Sequence, residues 1–116
     1  MMQRDRMMQP PKKIKIGYKY FDVRFVERIG MEGQLGAAHW ERGEILLLDG
    51  GSHVGPTELA NTLLHEVIHL VQRFMALNHV REPSEEMITV SLTDGLLMVF
   101  ADNPKLLLWI QEQMHG

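Results

Sequence analysis

Cysteine is absent from this chain of 116 residues, so disulfide bonds are excluded and any zinc site must use histidine and carboxylate ligands. No run of 18 apolar residues is present, so the sequence predicts no membrane span. A formal net charge of −3 argues against the basic surface typical of nucleic-acid-binding proteins. The first residues lack the apolar segment of a secretory signal, and we therefore expect a cytoplasmic protein.

The remaining composition is that of one globular domain, with 45% hydrophobic and 23% charged residues. Residues 1–12 contain four methionines and end in Pro10 and Pro11, and we interpret them as a disordered tail. Residues 13–116 are predicted to form a single domain.

The first half of that domain alternates with a period of two, which indicates strands with one buried face. The phase of the alternation reverses near Tyr20 and Phe21, so this stretch is either one bent strand or two. Residues 35–40 and 44–48 are predicted to form a hairpin through the glycine-containing turn 41–43. We therefore expect a small antiparallel or mixed sheet of about three strands.

The second half has the period of a helix. Pro56 is suited to a first helical turn, and two apolar stripes predict one buried helix through residues 59–77. Ser84 is a good N-cap for a second helix, whose inner stripe would start at Ile88. Asn103, as an N-cap, and the proline after it predict a third helix. Together with the sheet, these elements predict an α+β fold.

The first of these helices carries the motif H-E-x-x-H, formed by His65, Glu66 and His69. Residues four apart lie on one face of a helix, so the two imidazoles can hold a single Zn²⁺ ion. Glu66 is rotated by about 100° from His65 and can reach a water molecule at the metal. This arrangement is typical of zinc peptidases, in which the glutamate is the general base.

A catalytic zinc ion takes three protein ligands and keeps a fourth position for water. Counting three residues back from Ile88 along the predicted inner stripe leads to Glu85, which we predict as the third ligand. Glu86 and His79 are the alternatives. Acidic residues in a first helical turn also interact favourably with the helix dipole, which accounts for Glu86 without a metal.

The reaction also needs a donor for the tetrahedral oxyanion. Tyr18, Tyr20 and His39 are candidates, and the sequence does not choose among them. The predicted strand 35–40 precedes the H-E-x-x-H helix, and as an edge strand it could pair with an extended peptide.

Four segments together resemble the small phage and prophage metallopeptidase-like proteins related to the ImmA/IrrE family. They are Thr62-Leu63-Leu64-His65-Glu66-Val67-Ile68-His69, Glu85-Glu86-Met87-Ile88, Leu92-Thr93-Asp94-Gly95-Leu96 and Asp102-Asn103-Pro104. The resemblance covers roughly residues 13–108. It implies a zincin-like α+β fold, zinc bound by His65, His69 and Glu85, Glu66 as general base, and proteins or peptides as substrates.

Two other interpretations remain open. The chain could be a phage accessory protein that binds metal and a host factor without proteolysis, or a helical interaction domain in which the two histidines are merely packed. The cost of burying two unligated imidazoles counts against the second. The apolar residues 106–110 could pack on the core or on another copy, so the chain is expected to be a monomer or a weak homodimer.

Overall fold

The structure is a computed structural model that describes residues 9–30, 33–50 and 54–115. Four strands, β1 (Lys13–Ile16), β2 (Lys19–Val26), β3 (Gly36–His39) and β4 (Glu44–Leu48), precede three helices, α1 (Pro56–Phe74), α2 (Glu85–Asp102) and α3 (Pro104–His115). A short 3₁₀ helix spans Leu77–His79. The predicted α+β architecture is confirmed. The first eight residues of the predicted tail lie outside the described residues.

Within the described ranges, no helix has the length and apolarity that a membrane span requires.

The four strands form one mixed sheet in the order β1-β2-β4-β3, in which only β2 and β4 are parallel. The expectation of about three strands was therefore too low. Residues 13–26 form two antiparallel strands, and Gly17 adopts the left-handed conformation, with φ of +65°, that a tight turn requires. The reversal of phase comes from this turn, which lies three residues before the predicted position at Tyr20.

The predicted hairpin is confirmed, because β3 and β4 pair in antiparallel fashion across the turn. In the described part of the chain β3 has a strand on one side only and is an edge strand. The helices cover one face of the sheet. The core between them contains the following fully buried side chains: Ile14, Ile16, Phe21, Ile45, Leu47, Leu63, Val67, Val71, Val99, Leu106 and Trp109.

Helix α2 begins as predicted, with the Ser84 hydroxyl accepting a hydrogen bond from the Met87 amide at 3.1 Å. It contacts α1 further along, where a Cβ on Gly95 would lie 2.4 Å from Val71 Cγ1. All residues from 85 to 90 are exposed. Ile88, which was predicted to start the inner stripe, is therefore outside the core.

Asn103 follows α2 and joins it to the sheet. Its side chain accepts a hydrogen bond from the Lys15 amide at 2.8 Å and donates to the Lys15 carbonyl at 2.7 Å. It was predicted as an N-cap of the last helix, which begins at Pro104 as expected. The side chain instead holds β1, and a further bond to the Val99 carbonyl closes the end of α2.

Candidate metal centre

Helix α1 brings the two histidines of the motif together on its exposed side. The Nε2 atoms of His65 and His69 are 3.1 Å apart, and both residues are exposed. Two nitrogens bound to one zinc ion at about 2.05 Å and at a tetrahedral angle would be about 3.3 Å apart. The pair therefore fits two of the ligand positions of a zinc ion.

Glu66 lies beside this pair but points into the protein, and only 7% of it is exposed. Burial raises the pKa of its carboxyl group above the usual value, while nearby histidine charges act in the opposite direction. Space for the carboxylate comes from Gly36, since a Cβ there would lie 3.2 Å from Glu66 Oε2 and 2.6 Å from Thr62 Cγ2. A raised pKa suits a carboxylate to accept a proton near neutral pH.

The histidines and Glu66 line a groove of about 720 Å³ between α1 and the edge strand β3. Its walls are formed from the strand side by residues 34–39 and from the helix side by Asn61, Thr62, His65, Glu66 and His69. We refer to these residues as the groove.

The main chain of β3 is oriented toward this groove. The Leu48 amide donates to the Leu35 carbonyl at 2.9 Å, so residues 35, 37 and 39 are the ones whose main chain faces β4. The amides and carbonyls of Gly36 and Ala38 then face outward, and the Gly36 carbonyl accepts a bond from Gln34 Nε2 at 3.0 Å. An extended peptide could pair with this edge beside the two histidines.

The predicted third ligand does not line the groove. Glu85 is exposed at the start of α2, ten residues and about 15 Å along the helix from Gly95, which contacts α1. The alternatives Glu86 and His79 are exposed as well and also lie outside it. Among the described residues no three His, Asp or Glu side chains are placed to share a metal ion. Glu85 thus stays a prediction that requires α2 to approach the groove.

Of the three candidates for the oxyanion donor, only His39 lines the groove. Tyr18 is 78% exposed and Tyr20 57% exposed. His39 and Glu44 are cross-strand partners, so they lie on the sheet face opposite Gly36, and His39 Nδ1 is 2.8 Å from Glu44 Oε2. That hydrogen bond, together with one from Arg24 at 2.7 Å, lowers the pKa of Glu44 to about 2.

The two histidines are more exposed than the sequence predicts. The cost of burying two imidazoles was held against a site without metal, but His65 and His69 are exposed and incur no such cost. The buried member of the motif is Glu66. Sequence reasoning also missed Gly36 and Asn61 as groove residues; the only signal for Gly36 was a run of small residues in a strand that would pass close to a helix.

Comparisons of the chain with family models, with curated proteins and with solved structures gave no match. The resemblance to the ImmA/IrrE group therefore depends on the motifs of this sequence alone.

Proposed function

We propose that this chain is a zinc-dependent peptidase of zincin-like fold, related to the ImmA/IrrE group and phage-encoded. One observation carries the proposal: two histidine Nε2 atoms lie 3.1 Å apart next to a buried glutamate, in a groove along an open strand edge. Packing of two surface histidines without a metal accounts for the short distance between their Nε2 atoms. It gives no reason for a buried glutamate beside them in a groove along a strand edge.

His65 and His69 would hold the metal, with Glu85 as the expected third ligand. When bound, Zn²⁺ lowers the pKa of a water molecule and polarises the carbonyl of the peptide bond. Glu66 accepts the proton of the attacking water on its carboxylate and passes it to the leaving amine. The outward amide and carbonyl of Ala38 hold the peptide main chain in an extended form, so that the bond to be cleaved lies beside Glu66.

Metal content and peptide cleavage test the proposal together. Purified protein dialysed against zinc should retain about one ion per chain and melt at a higher temperature than the chelated protein, because ligand binding to the folded state stabilises it. His65→Ala and His69→Ala should abolish both effects. Glu85→Gln should weaken binding, whereas the matched variant Glu86→Gln should not. A protein that retains no zinc refutes the proposal.

Cleavage is measured with a peptide library made from digested proteins, with Glu66→Gln purified in parallel to reveal contaminating proteases. The wild type should cleave and Glu66→Gln should lose about 100-fold or more of the rate. Equal cleavage by both proteins refutes the assignment of Glu66.

A metal-binding accessory protein without peptidase activity is the second candidate. It is favoured by the position of Glu85, which leaves two described ligands at the groove. Zinc binding through both histidines with no cleavage by the wild type would support it.

A further inference from the structure

Arg73 continues the row of side chains formed by His65 and His69. The three residues are spaced by four on α1, so they lie on the same face of the helix. Each step of four residues advances by about 6 Å along the axis. Arg73 is therefore one turn beyond His69.

The edge strand runs beside α1 in the same direction. Gly36, at the start of β3, approaches Thr62 and Glu66, and Trp40, just after the strand, lies under Arg73 with the guanidinium 5.5 Å from the centre of its ring. Arg73 and Trp40 therefore meet where the groove ends, beyond His69.

The guanidinium is held in place at that end. Besides its position over Trp40, Arg73 donates a hydrogen bond to Glu41 Oε2 at 3.0 Å. The Glu41 side chain is 83% exposed, and so exposed an ion pair contributes little stability. A carboxylate brought by a ligand can therefore replace Glu41 at low cost, and a planar guanidinium stacked on an indole is suited to bind it.

Two basic side chains, Arg73 and Lys19, lie beside Trp40 at this end of the groove, where Arg73 is also paired with Glu41. None of the described residues that line the groove is lysine or arginine, and the one carboxylate among them is the buried Glu66. Lys19 adds a second cation beside Trp40, with Nζ 5.8 Å from the centre of the ring. Apart from a metal ion at the histidines, a peptide in the groove thus meets positive charge at Arg73.

We propose that Arg73 is a specificity-determining residue that binds a carboxylate of the peptide substrate. An extended peptide advances about 3.3 Å per residue, so the 6 Å from His69 to Arg73 places this carboxylate about two residues from the bond beside the histidines. The carboxylate belongs either to an Asp or Glu side chain or to a free C terminus. This inference builds on the proposed peptidase activity and adds the class of peptide.

The test uses zinc-loaded Glu66→Gln protein and a pool of random decapeptides with acetylated N termini, prepared with either a free or an amidated C terminus. Peptides retained with the protein on ultrafiltration are sequenced by mass spectrometry. We expect peptides with a carboxylate to be enriched about fivefold over those with Asn, Gln and an amidated end. If peptides with Asp or Glu are enriched in the amidated pool, the carboxylate comes from a side chain. If peptides are enriched only when their C terminus is free, the carboxylate is that of the C terminus.

Arg73→Met, made in the same background, keeps an apolar stem against Trp40 and should abolish the enrichment. Arg28→Met removes an exposed arginine outside the groove and should not. Glu41→Gln leaves Arg73 without its partner and should increase the enrichment, which provides a second variant if Arg73→Met does not fold. Enrichment that is absent, or that survives Arg73→Met, overturns the inference.

Cleavage of the amidated pool by the wild type is measured in parallel. Arg73-dependent enrichment without any cleavage supports the carboxylate site and refutes the peptidase. Cleavage whose sequence preference is unchanged by Arg73→Met in the wild-type background supports the peptidase and refutes the role of Arg73.

Discussion

Gly36→Ala is the substitution that most directly measures how closely the edge strand approaches the H-E-x-x-H helix. The new methyl group would lie 2.6 Å from Thr62 Cγ2, whereas carbon atoms in contact are normally 3.5–4.0 Å apart. Helix and strand must therefore separate by about 1 Å, or Thr62 must rotate. Rotation would break the hydrogen bond from Thr62 Oγ1 to the Glu58 carbonyl, which is 2.8 Å long.

Overpacking of this kind costs about 1–3 kcal/mol, and the lost hydrogen bond about 1 kcal/mol. We expect Gly36→Ala to lower the free energy of unfolding by about 2 kcal/mol, or the melting temperature by about 8 °C. Urea and thermal denaturation of the zinc-free protein, followed by circular dichroism, measure the change. The rate of peptide cleavage should fall by more than the loss of folded protein accounts for, because the same methyl group lies 3.2 Å from Glu66 Oε2.

Thr62→Ser is the matched control, since it removes Cγ2 and keeps the hydroxyl. Alone it should cost about 1 kcal/mol for the missing methyl group. In the double variant the clash disappears, so the two changes should recover about 1–2 kcal/mol relative to their sum. Additive effects within about 0.5 kcal/mol, or a neutral Gly36→Ala, would show that strand and helix are further apart than described here.

Three further outcomes are expected. Because the pKa of Glu44 is lowered to about 2 in the folded state, its contribution to stability is complete above pH 4.5 and is lost as the pH falls to about 2; urea denaturation across this range should show a smaller loss for Glu44→Gln than for the wild type. Because burial raises the pKa of Glu66, its ionisation opposes folding above pH 4.5. Zinc-free Glu66→Gln should therefore have a higher melting temperature than the wild type at pH 8 but not at pH 4. A lower melting temperature for the variant than for the wild type at pH 8 contradicts this account. Asn103→Ala removes the bonds to Lys15 and should cost about 1–3 kcal/mol in urea denaturation; Asn103→Asp keeps the acceptor for the Lys15 amide but places a carboxylate oxygen against the Lys15 and Val99 carbonyls, so it should cost at least as much.

The elements that the sequence predicted well are those whose signals are local. The β3–β4 hairpin is predicted by a glycine turn between two apolar runs, and α1 by its repeat of three and four residues. Ser84 and Pro104 mark the starts of α2 and α3 by the chemistry of their first turns. The tight turn at Gly17 also has a local cause. The alternation of residue types continues as far as Tyr20, however, so the turn was predicted three residues too late in the chain.

The third ligand depends on how two helices pack, and periodicity carries no such information. The pattern of α2 identifies an apolar side, and the prediction of Glu85 as a ligand requires this side to face α1 over its whole length. The helices instead meet at Gly95, where the missing side chain allows close approach, and the first turns of α2 are exposed. The burial of Glu66 is unpredictable for the same reason, because it depends on a glycine 30 residues earlier in the chain.

The two margins of the sheet differ in a way that limits how this protein can associate. On the β1 side the Asn103 side chain is hydrogen-bonded to the main-chain amide and carbonyl of Lys15. On the β3 side the amide and carbonyl of Ala38 face outward from the sheet. Two copies joined β3 to β3 would each use the outward amide and carbonyl of Ala38 for the other. Self-association through β3 and peptide binding would therefore need the same strand edge, so a bound peptide would compete directly with such a pair.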